Sequence, residues 1–121
     1  MSLPADHVPI QQGDIYWISN LDGFESGIAH PYVIVKATVL NNSRIPTVVA
    51  CALTSNLKRV SLPGNVLLEA GEANLPKSSV VEVSKVSIVL KTELGDYLGT
   101  LGEERVEQIL AGMRFVQFTF E

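Results

Sequence analysis

Thr47-Val48-Val49-Ala50-Cys51-Ala52-Leu53 is apolar almost without interruption and rich in small and β-branched residues. A run of this length, closed on both sides by turn-forming residues, reads as a central strand buried on both faces. Before it, residues 41–46 (Asn-Asn-Ser-Arg-Ile-Pro) form a turn cluster. After it, residues 54–63 form a loop that carries Lys58 and Arg59.

Working outward, residues 32–37 form a second strand, with Pro31 at its entrance, where no ladder donor is needed. Residues 14–20 form a first strand built on Ile15, Tyr16, Trp17 and Ile18. The glycine-punctuated segment 21–29 is a loop between these two strands, and residues 1–12 are an extended N-terminal arm. On the other side, residues 65–68, 79–84, 86–91 and 96–101 supply four more β-rich stretches, with a loop over 69–77. Only the tail has helical periodicity: Val106, Ile109, Leu110 and Met113 share one face. Glu103 and Glu104 lie in its first turn, where negative charge suits the helix dipole, and Gly102 is a permissible N-cap. The aromatic and branched residues 115–120 fit either helix or strand. Many short strands, glycine and proline turns and one terminal helix predict a single mainly-β domain over 1–121, a small barrel with a C-terminal helix.

With 121 residues, 46% of them hydrophobic, the chain has enough apolar material for one core. Nine Lys and Arg against thirteen Asp and Glu give a formal charge of −4. That balance argues against a high-affinity nucleic-acid binder, whose affinity comes mainly from phosphate neutralisation. It leaves room for an enzyme that touches a few nucleotides through a local basic patch. One cysteine, Cys51, excludes an intramolecular disulfide; its apolar surroundings predict a buried side chain rather than a reactive thiol. No stretch approaches the roughly 20 apolar residues of a membrane span, and the N-terminus has no signal-peptide pattern, so a cytoplasmic location is expected.

The histidines, His7 and His30, and Cys51 lack the paired spacing of metal ligands, and no phosphate-cradling or dinucleotide-binding glycine pattern is present. The sequence therefore predicts neither a metal centre nor a cofactor. What remains is a polar set at strand ends. Glu25 and His30 flank the loop before the second strand, and Thr54, Ser55 and Asn56 follow the third, with Lys58 and Arg59 a few residues on. A carboxylate, an imidazole, two hydroxyls, an amide and two cations suit acid–base chemistry at a phosphate. The same residues also fit blander roles: His30 as a loop histidine, and Thr54-Ser55-Asn56 as a turn bonding its own backbone. Tyr16 and Trp17 face opposite ways in a strand, so packing competes with base stacking for this pair.

The order of segments resembles the MazF/PemK toxins of bacterial toxin–antitoxin systems. The resemblance rests on Gly13-Asp14-Ile15-Tyr16, the loop from Gly23 to Ala29 ending in His30-Pro31, and the following Tyr32-Val33-Ile34-Val35. It continues through Leu53-Thr54-Ser55-Asn56, Lys58, Leu62-Pro63, Val66, Ala70-Gly71-Glu72, the stretch from Leu75 to Val81, and Leu98-Gly99-Thr100-Leu101. It implies an SH3-like barrel of the MazF/PemK/CcdB type, acting as a homodimer. It also implies metal-independent cleavage of single-stranded RNA through the substrate's 2′-hydroxyl, and neutralisation by a cognate antitoxin protein. By resemblance, Thr54 takes the place of the catalytic threonine and Glu25 that of the loop carboxylate, while His30 falls where the family has a catalytic arginine. Ser84-Lys85-Val86-Ser87 replaces a more basic run, leaving Lys85 as its cation. The resulting expectation is catalysis by His30, Thr54 and Glu25, with RNA held by Ser55, Asn56, Lys58, Arg59 and Lys85. The competing reading is an inactive member of the fold that binds protein or RNA, as gyrase poisons of similar fold do.

Overall fold

The computed structural model describes residues 9–19 and 28–119. The elements are β1 (Asp14–Ser19), β2 (Ala29–Ile34), a single helical turn α1 (Thr38–Asn41), β3 (Thr47–Thr54), β4 (Val66–Leu68), β5 (Ser79–Leu90), β6 (Tyr97–Thr100) and the C-terminal helix α2 (Glu103–Thr119). Short 3-10 turns, Leu57–Ser61, Glu72–Asn74 and Lys91–Glu93, occupy three of the connections. The strands form one antiparallel sheet in the order β4-β5-β3-β2-β1-β6, curled into a half-barrel with α2 against one face.

β3 lies near the middle of this order, as its apolar run requires. Alternation sends its side chains to two different cores. Cys51 and Leu53, with Val49, face α2 and join Ile15, Val33, Leu68, Val81, Val83, Leu101 and Ile109. Val48 and Ala50 face the far side and pack with Tyr16, Ile18, Ile34 and Val89. The tail residues picked out by periodicity do bury against the first core: Ile109 is fully inside, with Val106, Leu110, Met113 and Val116 around it. Gly102 O accepts the Val106 N–H at 3.1 Å, the first-turn bond expected of a residue at the helix entrance. The ambiguous residues after Met113 continue as helix to Thr119.

Three boundaries differ from the sequence expectation. β2 starts and ends earlier, so Pro31 is its third residue rather than its gatekeeper. Pairing with β3 begins only at Tyr32↔Ala52, so Pro31 is paired across β1 alone, a position a proline tolerates. The two β-rich stretches around Ser84-Lys85 are one strand, β5, interrupted by a bulge: Leu53 pairs with Val81, yet Cys51 pairs with Val86. Part of the turn cluster and the residues before it form α1, whose Thr38 Oγ1 and the side chain of Asn42 bond the backbone of Gln12 and Ile10, pinning the described end of the N-terminal arm.

No ladder joins β4 to β6 among the described residues, so the half-barrel is closed another way. The Glu72–Asn74 turn crosses to the opposite sheet edge, where Asn74 Nδ2 donates to Leu98 O at 2.9 Å. There Ala73 lies so close to Gly99 that any side chain at position 99 would collide with its carbonyl. Ala73 and Asn74 both take left-handed φ, 48° and 62°, to make this crossing.

Candidate active site

The far face of the sheet is apolar at one end and polar at the other. Ile34, Tyr32 and His30 alternate along β2, and Ala50, Ala52 and Thr54 along β3, so all six project from this face. The last paired residues are Tyr32 and Ala52. His30 and Thr54 each lie two residues beyond that last pair, where β2 and β3 no longer form a ladder. Across β1, His30 pairs with Ile18, which is buried in the second core, so the imidazole stands at the rim of that core and is itself exposed.

Thr54 also pairs with Val80 on β5. Its Oγ1 accepts the Asn56 backbone N–H at 3.1 Å, which fixes the rotamer and leaves the hydroxyl proton to be donated elsewhere. Asn56 then uses its Oδ1 to accept the Lys58 N–H at 3.2 Å, capping the Leu57–Ser61 turn. The turn reading of these residues thus describes Asn56 well, while Thr54 retains a donor. Ser55 and Lys58 are exposed beside it.

Arg59 and Lys85 come from separate elements and converge on a residue that the sequence reading did not single out. Glu82 Oε1 lies 3.5 Å from Lys85 Nζ and 4.0 Å from Arg59 Nε. Glu82 is 6% exposed, on the same face as Val80, one pleat along β5 from Thr54's neighbour. The clue was present in the sequence: a lone carboxylate at an alternate position of the apolar strand Ser79-Val80-Val81-Glu82-Val83. Glu25 lies outside the described residues. Trp17 projects from the α2 face, opposite to Tyr16, and takes no part in this cluster.

Two other polar features lie apart from this cluster. Asp14, 2% exposed, accepts from Thr100 Oγ1 at 2.6 Å and from the Gln11 N–H at 2.9 Å, and the Tyr16 hydroxyl lies 3.5 Å from it. Burial first, and the Asp14 charge second, push the Tyr16 phenol up to about 12. Arg105 grips Glu72 through two bonds of 2.9 Å, which hold the Glu72 carboxyl below its ordinary range. The Cys51 thiol, buried on the α2 face and 3.9 Å from Met113 Sδ, is pushed up to about 12 by desolvation. Among the described residues no group of three or more His, Cys, Asp and Glu converges as metal ligands would. Nor is any helix long and apolar enough to cross a membrane.

A sequence profile of the PemK-like, MazF-like toxins of type II toxin–antitoxin systems matches residues 11–116. Endoribonuclease MazF2 of Mycobacterium bovis is 32% identical over 109 residues, covering 88% of this chain and 96% of that protein. Endoribonuclease EndoA of Bacillus subtilis is 24% identical over 102 residues, 83% of this chain and 87% of that one. Among solved structures, an endoribonuclease in complex with its cognate antitoxin from Mycobacterial species superposes with a TM-score of 0.74 at 24% identity, over 89% of this chain and 94% of that one. The MazE–MazF structure from Deinococcus radiodurans gives 0.71 at 16% identity, over 92% and 97%. With the profile spanning nearly the whole sheet and helix, the chain belongs to the PemK-like, MazF-like toxin family of type II toxin–antitoxin systems.

Proposed function

We propose that this chain is the toxin of such a pair and a metal-independent endoribonuclease that cleaves single-stranded RNA through the substrate's own 2′-hydroxyl. The observation that supports this reading is that His30 and Thr54 share one face of neighbouring strands by alternation, each two residues beyond the last β2–β3 pair, Tyr32↔Ala52. Its relatives are named endoribonucleases.

The reaction needs a base for the 2′-hydroxyl, an acid for the departing 5′-oxygen, and donors for the phosphate oxygens that gain charge between the two steps. Arginine, the family's residue at position 30, is a phosphate donor that does not give up its proton, whereas an imidazole can both accept and release one near neutral pH. His30 therefore takes the proton-transfer role, with Glu25 as its carboxylate partner. The Thr54 hydroxyl donates to a non-bridging phosphate oxygen, its lone pair already held by Asn56. Ser55 supplies a second donor, while Asn56, Lys58, Arg59 and Lys85 line the path of the flanking backbone. The 2′-oxygen bonds to phosphorus, the P–O5′ bond breaks, and the products are a 2′,3′-cyclic phosphate and a 5′-hydroxyl. The competing reading, a non-cleaving binding module, is the outcome of the same test if no cutting is seen.

The decisive experiment incubates a long single-stranded RNA with the protein in EDTA, beside His30→Ala and Thr54→Ala. Cleavage that leaves cyclic phosphate ends and is lost in both variants is the expected result. A folded wild type that cuts nothing between pH 5 and 9 over varied sequences overturns the nuclease reading.

A homodimer is part of the same proposal. The outer half of β5 carries an open apolar row: Val86, Ile88 and Leu90 are exposed on the α2 face, Ile88 to 73%, while Val89 on the other side is buried. An exposed apolar row of this kind is suited to being covered, and a second copy presenting the same ridge across a two-fold axis would do so. An Ile88→Lys variant should then sediment as a monomer where the wild type sediments as a dimer. The partners proposed for the polar face are single-stranded RNA and, in competition with it, the cognate antitoxin. The place of action is the cytoplasm.

A further inference from the structure

We propose that Glu82 is a positioning residue of the nuclease groove: a buried carboxylate that gathers Lys85 and Arg59 into one phosphate-binding subsite beside Thr54 and His30. This rests on the nuclease reading above and adds to it the residue that assembles the basic patch.

Three observations carry it. First, Glu82 is 6% exposed in the middle of a strand whose neighbours Val80, Val81 and Val83 are all buried. An isolated carboxylate is costly at such a place, and burial of this kind is sustained by opposite charge and hydrogen bonding. Second, its two cations come from different elements. Lys85 stands at the β5 bulge, the irregularity that separates Val81↔Leu53 pairing from Val86↔Cys51 pairing, and Arg59 stands on the Leu57–Ser61 turn. Neither position fixes a long side chain by itself. A single oxygen, Oε1, is the atom both approach, at 3.5 and 4.0 Å. Third, the cation side chains remain about half open to solvent, 58% for Lys85 and 47% for Arg59. An ammonium has three donors and a guanidinium five, more than one carboxylate oxygen can use. The trio carries a net charge of +1, and Glu82 projects from the same face as Thr54, whose partner on β5, Val80, is two residues from it. A phosphate of the RNA backbone meets two pre-aimed cations there. Without Glu82 it meets two loose ones, and ordering them costs side-chain entropy at the moment of binding.

This is a different role from a general base, and it predicts a different signature. Glu82→Gln keeps the shape and removes the charge that holds the cations. We expect KM for cleavage to rise about fivefold to twentyfold, with kcat changed less than about twofold. Binding of a fluorescent, sequence-randomised 2′-O-methyl 20-mer, which cannot be cleaved, should weaken by a similar factor. Glu82→Asp should recover part of the loss. Unchanged or tighter binding by Glu82→Gln overturns the proposal, because it means that the carboxylate merely repels phosphate or only supports the strand. So does a fall in kcat at constant KM. If Glu82→Gln does not fold by circular dichroism, the exposed cations provide the second test. Lys85→Met and Arg59→Met, singly and together, should weaken binding non-additively, since one carboxylate holds both; additive losses overturn the shared clamp. A wild type that neither cuts RNA nor binds the 20-mer sinks the nuclease reading itself, whereas a competent wild type with an indifferent Glu82→Gln sinks the clamp alone.

Discussion

β3 shows two faces of very different character. On the α2 side, Cys51 and Leu53 are enclosed by helix and sheet among apolar side chains. On the far side the strand runs from a small apolar core at Val48 and Ala50 to Thr54, beyond which stand His30, Glu82 and two cations. One strand thus supplies stability through the α2-side set and the inner part of the far-side set, and offers chemistry only at the far-side end, Thr54. Substitutions at Leu53 and Thr54, one residue apart, should therefore sort into a stability loss and an activity loss.

The largest expected effect lies on the polar face. His30→Ala and Thr54→Ala should each lower cleavage roughly 10²- to 10⁴-fold, the range for losing a proton-transfer group or a charge-stabilising donor, while leaving thermal melting within a few degrees of wild type. Next comes the α2 face: Ile109→Ala should cost about 2–5 kcal/mol by urea titration, with cleavage per folded molecule unchanged. Loss of specific activity in that variant would break the division between the faces. A smaller effect comes from protons. Cys51 keeps its proton up to about 12 when folded but, at an ordinary value near 9.0, gives it up sooner when unfolded. Above pH 9 the unfolded chain therefore binds fewer protons than the native one, and stability should fall with rising pH until about 12; Tyr16 on the opposite face adds to the fall from pH 10 upward. Cys51→Ser should flatten the lower part of this decline, read from urea midpoints between pH 8 and 11. The smallest effect is at the surface. Glu72 is held below its ordinary range by Arg105, so its contribution is complete above that range and is lost as pH falls through the lowered value. Because the pair is partly exposed, Glu72→Gln at pH 7 should cost only about 0.2–1 kcal/mol, less at high salt.

The sheet was readable because β-formers alternate between turn signals, and the helix because Val106, Ile109, Leu110 and Met113 keep the helical period. The bulge in β5 was not readable. Ser84-Lys85 looked like a break between strands, since nothing local distinguishes a strand that ends from one that gains extra residues opposite its partner. Of the candidate site, alternation along β2 and β3 puts His30 and Thr54 on one face of neighbouring strands, which the strand order made foreseeable. The gathering of Arg59 and Lys85 depends on a third residue more than twenty positions from Arg59, and only the pairing of β3 with β5 brings them near. Glu82 was not singled out from the sequence. Its burial follows from the Leu57–Ser61 turn packing over β5, a tertiary fact.

The clasp between Asn74 and β6 has a consequence for motion. A barrel closed by a continuous ladder opens only by losing many hydrogen bonds at once, whereas this one is fastened by a side-chain amide on a single carbonyl and by the missing side chain of Gly99. Its least protected amides should therefore belong to the two short strands on either side of the clasp, β4 and β6, and hydrogen exchange should spread inward from them toward β3.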